Sequence, residues 1–305
     1  MKKATISSQQ TSWQRIDNIA LCLRLGVGAV FVIGGYSKLS QLLDPTRSQA
    51  MVDQYMGPAG YINSFFSDYL FNGMLSGIIS PWGFLTALSS FELISGLALL
   101  VGFLVGPLAL VYGFLLWTFV FSLPVVTTPG VEVTVKTYTS PALLVQIRDV
   151  ALSGFMFVLF NLGSGRFSID AMRSKSRVRP EPVSWDAFAL LTRLSLAVPF
   201  LVGGFFAGMS NIQSFSAYPL LLIVIGLLLV AGIGIRVVAI AVALTMFWFM
   251  LGKFSVDKTL IANLNGFKRE FAMLAASLVL FVYGGGNKFV WYRFGDKRSG
   301  EPATT

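Results

Sequence analysis

The chain has 305 residues, 55% of them apolar and only 12% charged, and a mean hydropathy of +0.72. A soluble domain carries about 25% charged residues, so this is the composition of a membrane protein. With no His and a single Cys, Cys22, the chain excludes haem or metal sites built on His, His-based acid–base catalysis, internal disulfides and iron–sulfur ligation. The net charge of +9 would suggest nucleic acid in a soluble protein, but the Lys and Arg residues cluster at the ends of apolar runs. That pattern reads as membrane topology, with no nucleic-acid partner. Any redox activity then needs a diffusible cofactor or a partner subunit.

Apolar runs able to cross a bilayer lie near residues 17–38, 82–104, 107–126, 146–164, 187–209, 216–234, 236–254 and 269–285. The expected fold is an all-α membrane protein of eight transmembrane helices. The basic start MKKATISSQQTSWQRIDN leads into a run that continues to about Lys38 without a small-residue cleavage site, so the first helix is expected to be retained. Between the first two helices, YINSFFSDYLFNGMLSGII is aromatic-rich but too interrupted to span, and suits a helix lying in the interface. Pro107 is placed to open the third helix and Pro124 to end it. Beyond it, VEVTVKTYT from Val131 alternates apolar and polar residues and predicts a short strand or hairpin arm. The polar, basic SKSRVRPEP marks a linker, and glycines at 232 and 234 separate the sixth helix from the seventh.

The two halves resemble each other. RLGVGAVFVIGGYSKL from Arg24 aligns with RLSLAVPFLVGGFFAGM from Arg193 at an offset of 169. GLALLVG from Gly96 aligns with GLLLVAG from Gly226 at an offset of 130, and RDVALSGFMFVLFNLGSG from Arg148 with REFAMLAASLVLFVYGGG from Arg269 at an offset of 121. Three blocks in one order predict a four-helix unit repeated once. The expected domains are residues 1–170, a basic linker over 171–186, and a second unit over 187–305. The falling offset puts 39 extra residues between the first two helices of the first unit and nine between its last two. Both insertions emerge on one face. Lys and Arg number 13 on the face with the termini and linker and eight on the other. Both termini are therefore expected to be cytoplasmic and both insertions extracytoplasmic, in the inner (plasma) membrane.

Glu92 is the sharpest single signal, since an acidic side chain in mid-span costs ~2.5–3.5 kcal/mol and normally faces protein or water. A catalytic carboxylate and a structural partner for Arg24 both stay open; the repeat places Leu222 at the equivalent position. Arg24 and Arg193 sit two turns inside their helices, where snorkelling or structural pairing is the plainest role. Arg148-Asp149 and Arg269-Glu270 begin the fourth and eighth helices, either as capping and anchoring groups or, for Arg148, as the cation that meets an anionic ligand. Trp82, Tyr112, Trp117, Tyr138 and Trp248 offer aromatic faces that could sandwich a quinone, or simply pack against lipid and helices. Glycine runs read as close helix packing.

The blocks RLGVGAVFVIGGYSKL, ELISGLALLVGFLVGPLAL with Glu92, and RDVALSGFMFVLFNLGSGRFSID resemble the signatures of the DoxX/DoxD family of membrane proteins. The resemblance covers most of residues 17–170 and, more weakly, 187–290. The long outer insertion makes the first unit similar to the DoxD type, a subunit of thiosulfate:quinone oxidoreductase. The resemblance implies electron transfer from extracytoplasmic thiosulfate to quinone beside a partner subunit. Read from the residues, Glu92 and Arg148 are the catalytic candidates, and Arg24, Tyr112 and Trp117 those toward the quinone. The second unit departs from the pattern: Lys38 becomes Ala207, Glu92 becomes Leu222 and GRFSID becomes GNKFVW. Three functions follow for comparison: the membrane subunit of a quinone-linked oxidoreductase, a non-catalytic membrane partner of a redox complex, and, less favoured, a transporter.

Overall fold

A computed structural model describes residues 2–56, 62, 67–74, 76–121, 142–173, 185–207 and 215–290, the side chains of 2–13, 74 and 142–146 excepted. The expected strand near Val131, Tyr138, the linker SKSRVRPEP, residues 61, 63–66 and 75 of the aromatic stretch and the tail from 291 lie outside the described residues. Within them the fold is helical, without strands: α1 Lys2–Leu42, α2 Ser48–Met56, a π-helical turn Asp68–Met74, α3 Pro81–Val101, α4 Val105–Phe121 and α5 Ala142–Leu162. There follow α6 Ile169–Arg173, α7 Trp185–Phe205, α8 Pro219–Ala231, α9 Ile235–Lys253, α10 Leu260–Gly266 and α11 Lys268–Tyr283. A helix thus occupies each of the eight apolar runs. Four segments are long and apolar enough to cross a bilayer: Gln14–Leu42, Pro81–Val101, Trp185–Phe205 and Ile235–Lys253. Ile94, Leu97, Phe114, Leu227, Leu244 and Trp248 stand exposed on the outer faces, as side chains facing lipid do, and the chain is an integral membrane protein.

Local sequence explains the helix ends. Ser80 caps α3 by accepting a hydrogen bond from Gly83 N at 3.1 Å, with Pro81 at the first helical position. Gly102 ends the same helix at φ +75°, a conformation that glycine adopts without a Cβ penalty. Gly232 ends α8 at φ +74° in the same way.

Helix packing repeats at the sequence offsets. In α1·α3, Gly35 lies so close that a Cβ would stand 2.5 Å from Leu93 N, and Gly96 would place one 2.7 Å from Val32 N. In α7·α8, Gly204 would meet Ile223 N at 2.9 Å and Gly226 the side chain of Leu201 at 2.5 Å. These are the glycines matched at 169 and 130, and the missing Cβ lets the backbones approach. The halves join through α1 against α11 and α5 against α7. Gly26 packs on Ala275 in the first contact and Gly154 on Ser195 in the second. Position 26 matches 195 and position 154 matches 275, so one interface repeats the other with the glycine moved to the opposite partner.

Candidate functional site

The end of the first half that carries α2 and the π-helical turn forms a cavity of about 690 Å³, within the range of small-molecule sites. Its apolar wall comes from Val30 and Phe31 of α1, Leu85 and Leu88 of α3, and Leu116 and Phe119 of α4. The inserted segment closes one side: Met51 and Tyr55 of α2, Ile62, and Tyr69 of the π-helical turn all line it. Leu42, Met51, Val52, Ile62 and Leu85 form a small core of their own, and Trp82 Nε1 donates to Leu42 O at 3.0 Å. The insertion is therefore packed onto the protein as part of the cavity wall.

Seven charged side chains converge on the cavity: Lys38, Glu92, Arg148, Asp149, Lys268, Arg269 and Glu270. Lys38 Nζ pairs with Glu92 Oε2. Two further pairs cross between the halves. Arg148 pairs with Glu270, while Arg269 donates to both oxygens of Asp149, from Nε at 2.6 Å and Nη2 at 3.1 Å. Positions 148 and 149 stand 121 residues before 269 and 270, and each Arg reaches the acid of the other half. Arg148 also faces the rings of Phe215 and Phe249, each at 5.9 Å. Burial pushes the pKa of the Tyr55 hydroxyl up; the Glu92 carboxylate adds to that shift and Arg269 opposes it. Tyr55 is thus a neutral donor at ordinary pH.

Glu92 does not meet Arg24. The structural pairing with Arg24 does not form, because Lys38 takes the Glu92 carboxylate while Arg24 lies about 21 Å earlier along α1. Arg24 donates to Ser164 O at 2.7 Å and to Phe167 O at 2.5 Å, with its guanidinium against Gly102. Arg193 donates to Lys288 O at 2.8 Å and lies against Gly232. Both arginines sit over the C-terminus of a helix, where carbonyl dipoles favour a cation. The neighbouring contacts repeat as well: Asp17 accepts from Arg166 N at 2.9 Å, and Asp186 from Asn287 N at 2.7 Å. Asp170, in the GRFSID motif, accepts from Leu104 N at 2.9 Å and Val105 N at 3.0 Å and so caps α4. Gly234, at the start of α9, has no side-chain cap.

Of the residues singled out from sequence, Glu92 and Arg148 line the cavity; Arg24, Tyr112 and Trp117 do not. Tyr112 is buried behind the wall, stacked on Phe31 with ring centroids 3.7 Å apart and its hydroxyl 2.6 Å from Ser95 Oγ. Trp117 is 37% exposed on the outer face of α4. Lys38, Lys268, Asp149, Arg269 and Glu270 were not singled out as site residues. The signal that could have found the last three was the repeated Arg–acid dipeptide, which capping explained too easily.

In the second half, Phe200, Phe215, Leu222 and Phe249 are all buried. Phe215 packs on Phe200 at 5.5 Å and on Phe249 at 5.1 Å. Leu222, the position that matches Glu92, is buried in the same apolar core as these rings.

The DoxX family matches residues 19–129. The chain carries a DoxX domain. The match runs from α1 to beyond α4 and contains Lys38 and Glu92, whereas Arg148 and the whole second half lie outside it. No curated protein and no solved structure matches the chain.

Proposed function

We propose that this DoxX-domain protein is the membrane subunit of a quinone-linked oxidoreductase, with the quinone head in the cavity beside Glu92. The observation that carries the reading is the buried Lys38–Glu92 pair facing an aromatic-walled cavity inside the helix bundle. Quinone reduction takes up two electrons and two protons. Lys38, Lys268, Arg269 and the Tyr55 hydroxyl line the cavity as donor groups for quinone oxygens, and Glu92 is the group able to hold and pass a proton. Phe31, backed by Tyr112, offers a flat apolar face to the ring. Electrons would come from a donor on the outer face or from a partner subunit; the likeness of the first half to DoxD makes thiosulfate the most concrete donor.

In the same reading the chain forms two tandem four-helix DoxX-like units, with eight spans and both termini cytoplasmic. Support comes from the pairs Gly35/Gly204, Gly96/Gly226, Asp17/Asp186 and Arg24/Arg193, which repeat the same contacts at the sequence offsets. The apolar Leu222 at the position matching Glu92 favours a scaffolding role for that unit. It also supports a second reading, in which the whole chain is a non-catalytic membrane partner that assembles a redox complex.

The test is to purify the chain in mild detergent, extract it with organic solvent and assay the extract for quinone. A stoichiometric quinone, lost when Leu88→Trp fills the cavity, is expected. A stable complex with partner subunits but no quinone would overturn the leading reading in favour of the second.

A further inference from the structure

We infer that the cavity binds an apolar molecule bearing one negative charge, of the fatty-carboxylate type, with Lys268 holding the charge. The inference rests on the same view of the cavity as a ligand site. It adds a ligand class that quinone binding does not require.

The argument is one of charge balance. Six of the seven charged side chains on the wall neutralise one another in three pairs, Lys38–Glu92, Arg148–Glu270 and Arg269–Asp149. Among the described residues, Lys268 has no carboxylate within ion-pair distance. Its ammonium donates to Asn265 Oδ1 at 2.6 Å, a neutral acceptor that uses one of three N–H groups. The wall therefore carries one more basic side chain than carboxylates, and that side chain, Lys268, is only partly exposed and can take an anion as its partner.

The local sequence makes room for that charge. A Cβ on Gly34 would stand 2.8 Å from Lys268 Nζ, so the ammonium lies over a glycine of α1. Beyond it the cavity is lined by Phe31, Leu88, Leu116 and Phe119, a surface for an apolar body. A neutral ligand would leave the charge uncompensated, and a dianion would leave an excess negative charge. A monoanion balances it.

The test uses the full chain in neutral nanodiscs and a palmitate analogue bearing a photoreactive diazirine. Labelling should be displaced by palmitate and at least tenfold less well by methyl palmitate, which has the same chain without the charge. Phosphatidylglycerol distinguishes the source of the anion. Displacement by palmitate alone assigns a free carboxylate, while displacement by the lipid as well extends the site to headgroups; both support a monoanion site. Lys268→Met should lose labelling at least tenfold and Lys268→Arg should retain it, with the exposed Lys258→Met as the unaffected control. Equal displacement by methyl palmitate, or undiminished labelling of Lys268→Met, would overturn the inference. Quinone extracted from the same preparations separates the two readings. Charge-dependent labelling without quinone sinks only the oxidoreductase reading, and quinone with charge-independent labelling sinks only this one.

Discussion

Arg148 on α5 and Glu270 on α11 form a buried ion pair across the junction of the two halves, and their neighbours Asp149 and Arg269 pair in the opposite sense. Each Arg–acid dipeptide is neutral as a unit, yet neither Arg is paired with its own neighbour. The pairing ties the helix that starts late in the first half to its counterpart in the second.

Removing one partner leaves the other charge buried, which costs about 3–5 kcal/mol. Glu270→Ala and Asp149→Ala should therefore each sharply lower the unfolding temperature in detergent. The double change Arg148→Met with Glu270→Leu should recover most of the loss, since apolar replacements of similar volume are often neutral. If the double variant is as unstable as the single ones, the pair does more than balance charge.

Glu92→Gln keeps the shape of the side chain but leaves Lys38 without its counter-charge. The expected result is a folded protein whose quinone-coupled turnover, measured in the purified complex, falls at least tenfold, because the amide cannot carry a proton. Full turnover would make Glu92 structural. Glu92→Leu should fold less well than Glu92→Gln, and adding Lys38→Met should restore its yield.

Arg148 and Arg269 both reach the cavity wall, but in different settings. Arg148 is 2% exposed and lies toward Phe215 and Phe249, whereas the Arg269 side chain is 19% exposed. Ligand affinity should therefore fall at least as far in Arg269→Ala as in Arg148→Ala. A loss confined to Arg148→Ala, in a binding titration on folded protein, would contradict this geometry.

Gly102 and Gly232 each combine a positive φ with an Arg guanidinium where a Cβ would lie. Gly102→Ala and Gly232→Ala should each destabilise the protein by about 1–2 kcal/mol from the backbone conformation alone, with displacement of Arg24 or Arg193 in addition. Gly106→Ala is the control, because nothing stands within 4 Å of its Cβ position. Thermal unfolding of the three variants measures the difference.

The proposed orientation puts the insertion outside the cell and α6 inside. In a Cys22→Ser background, a thiol at the exposed Thr46 should react with a membrane-impermeant maleimide added to intact cells, and one at Met172 should react only after lysis. The reverse pattern would invert the topology.

The sequence by itself determined the membrane class and the positions of eight helices, because these depend on local hydropathy. It marked Glu92 because a charge inside an apolar run is visible without any fold, and Arg148 as a cation at the start of the fourth helix, although that helix in fact begins at Ala142. The partners of those charges were decided only by tertiary structure. Lys38 reads as a helix-end cation until α3 is laid against α1, and Arg24 reads as a partner for Glu92 until the carbonyls of Ser164 and Phe167 close around it. The crossed pairs Arg148–Glu270 and Arg269–Asp149 depend on how the halves face each other, which no local pattern encodes. The cavity depends on tertiary packing: α2, Ile62 and the π-helical turn meet α1, α3 and α4 across intervening chain to form its wall.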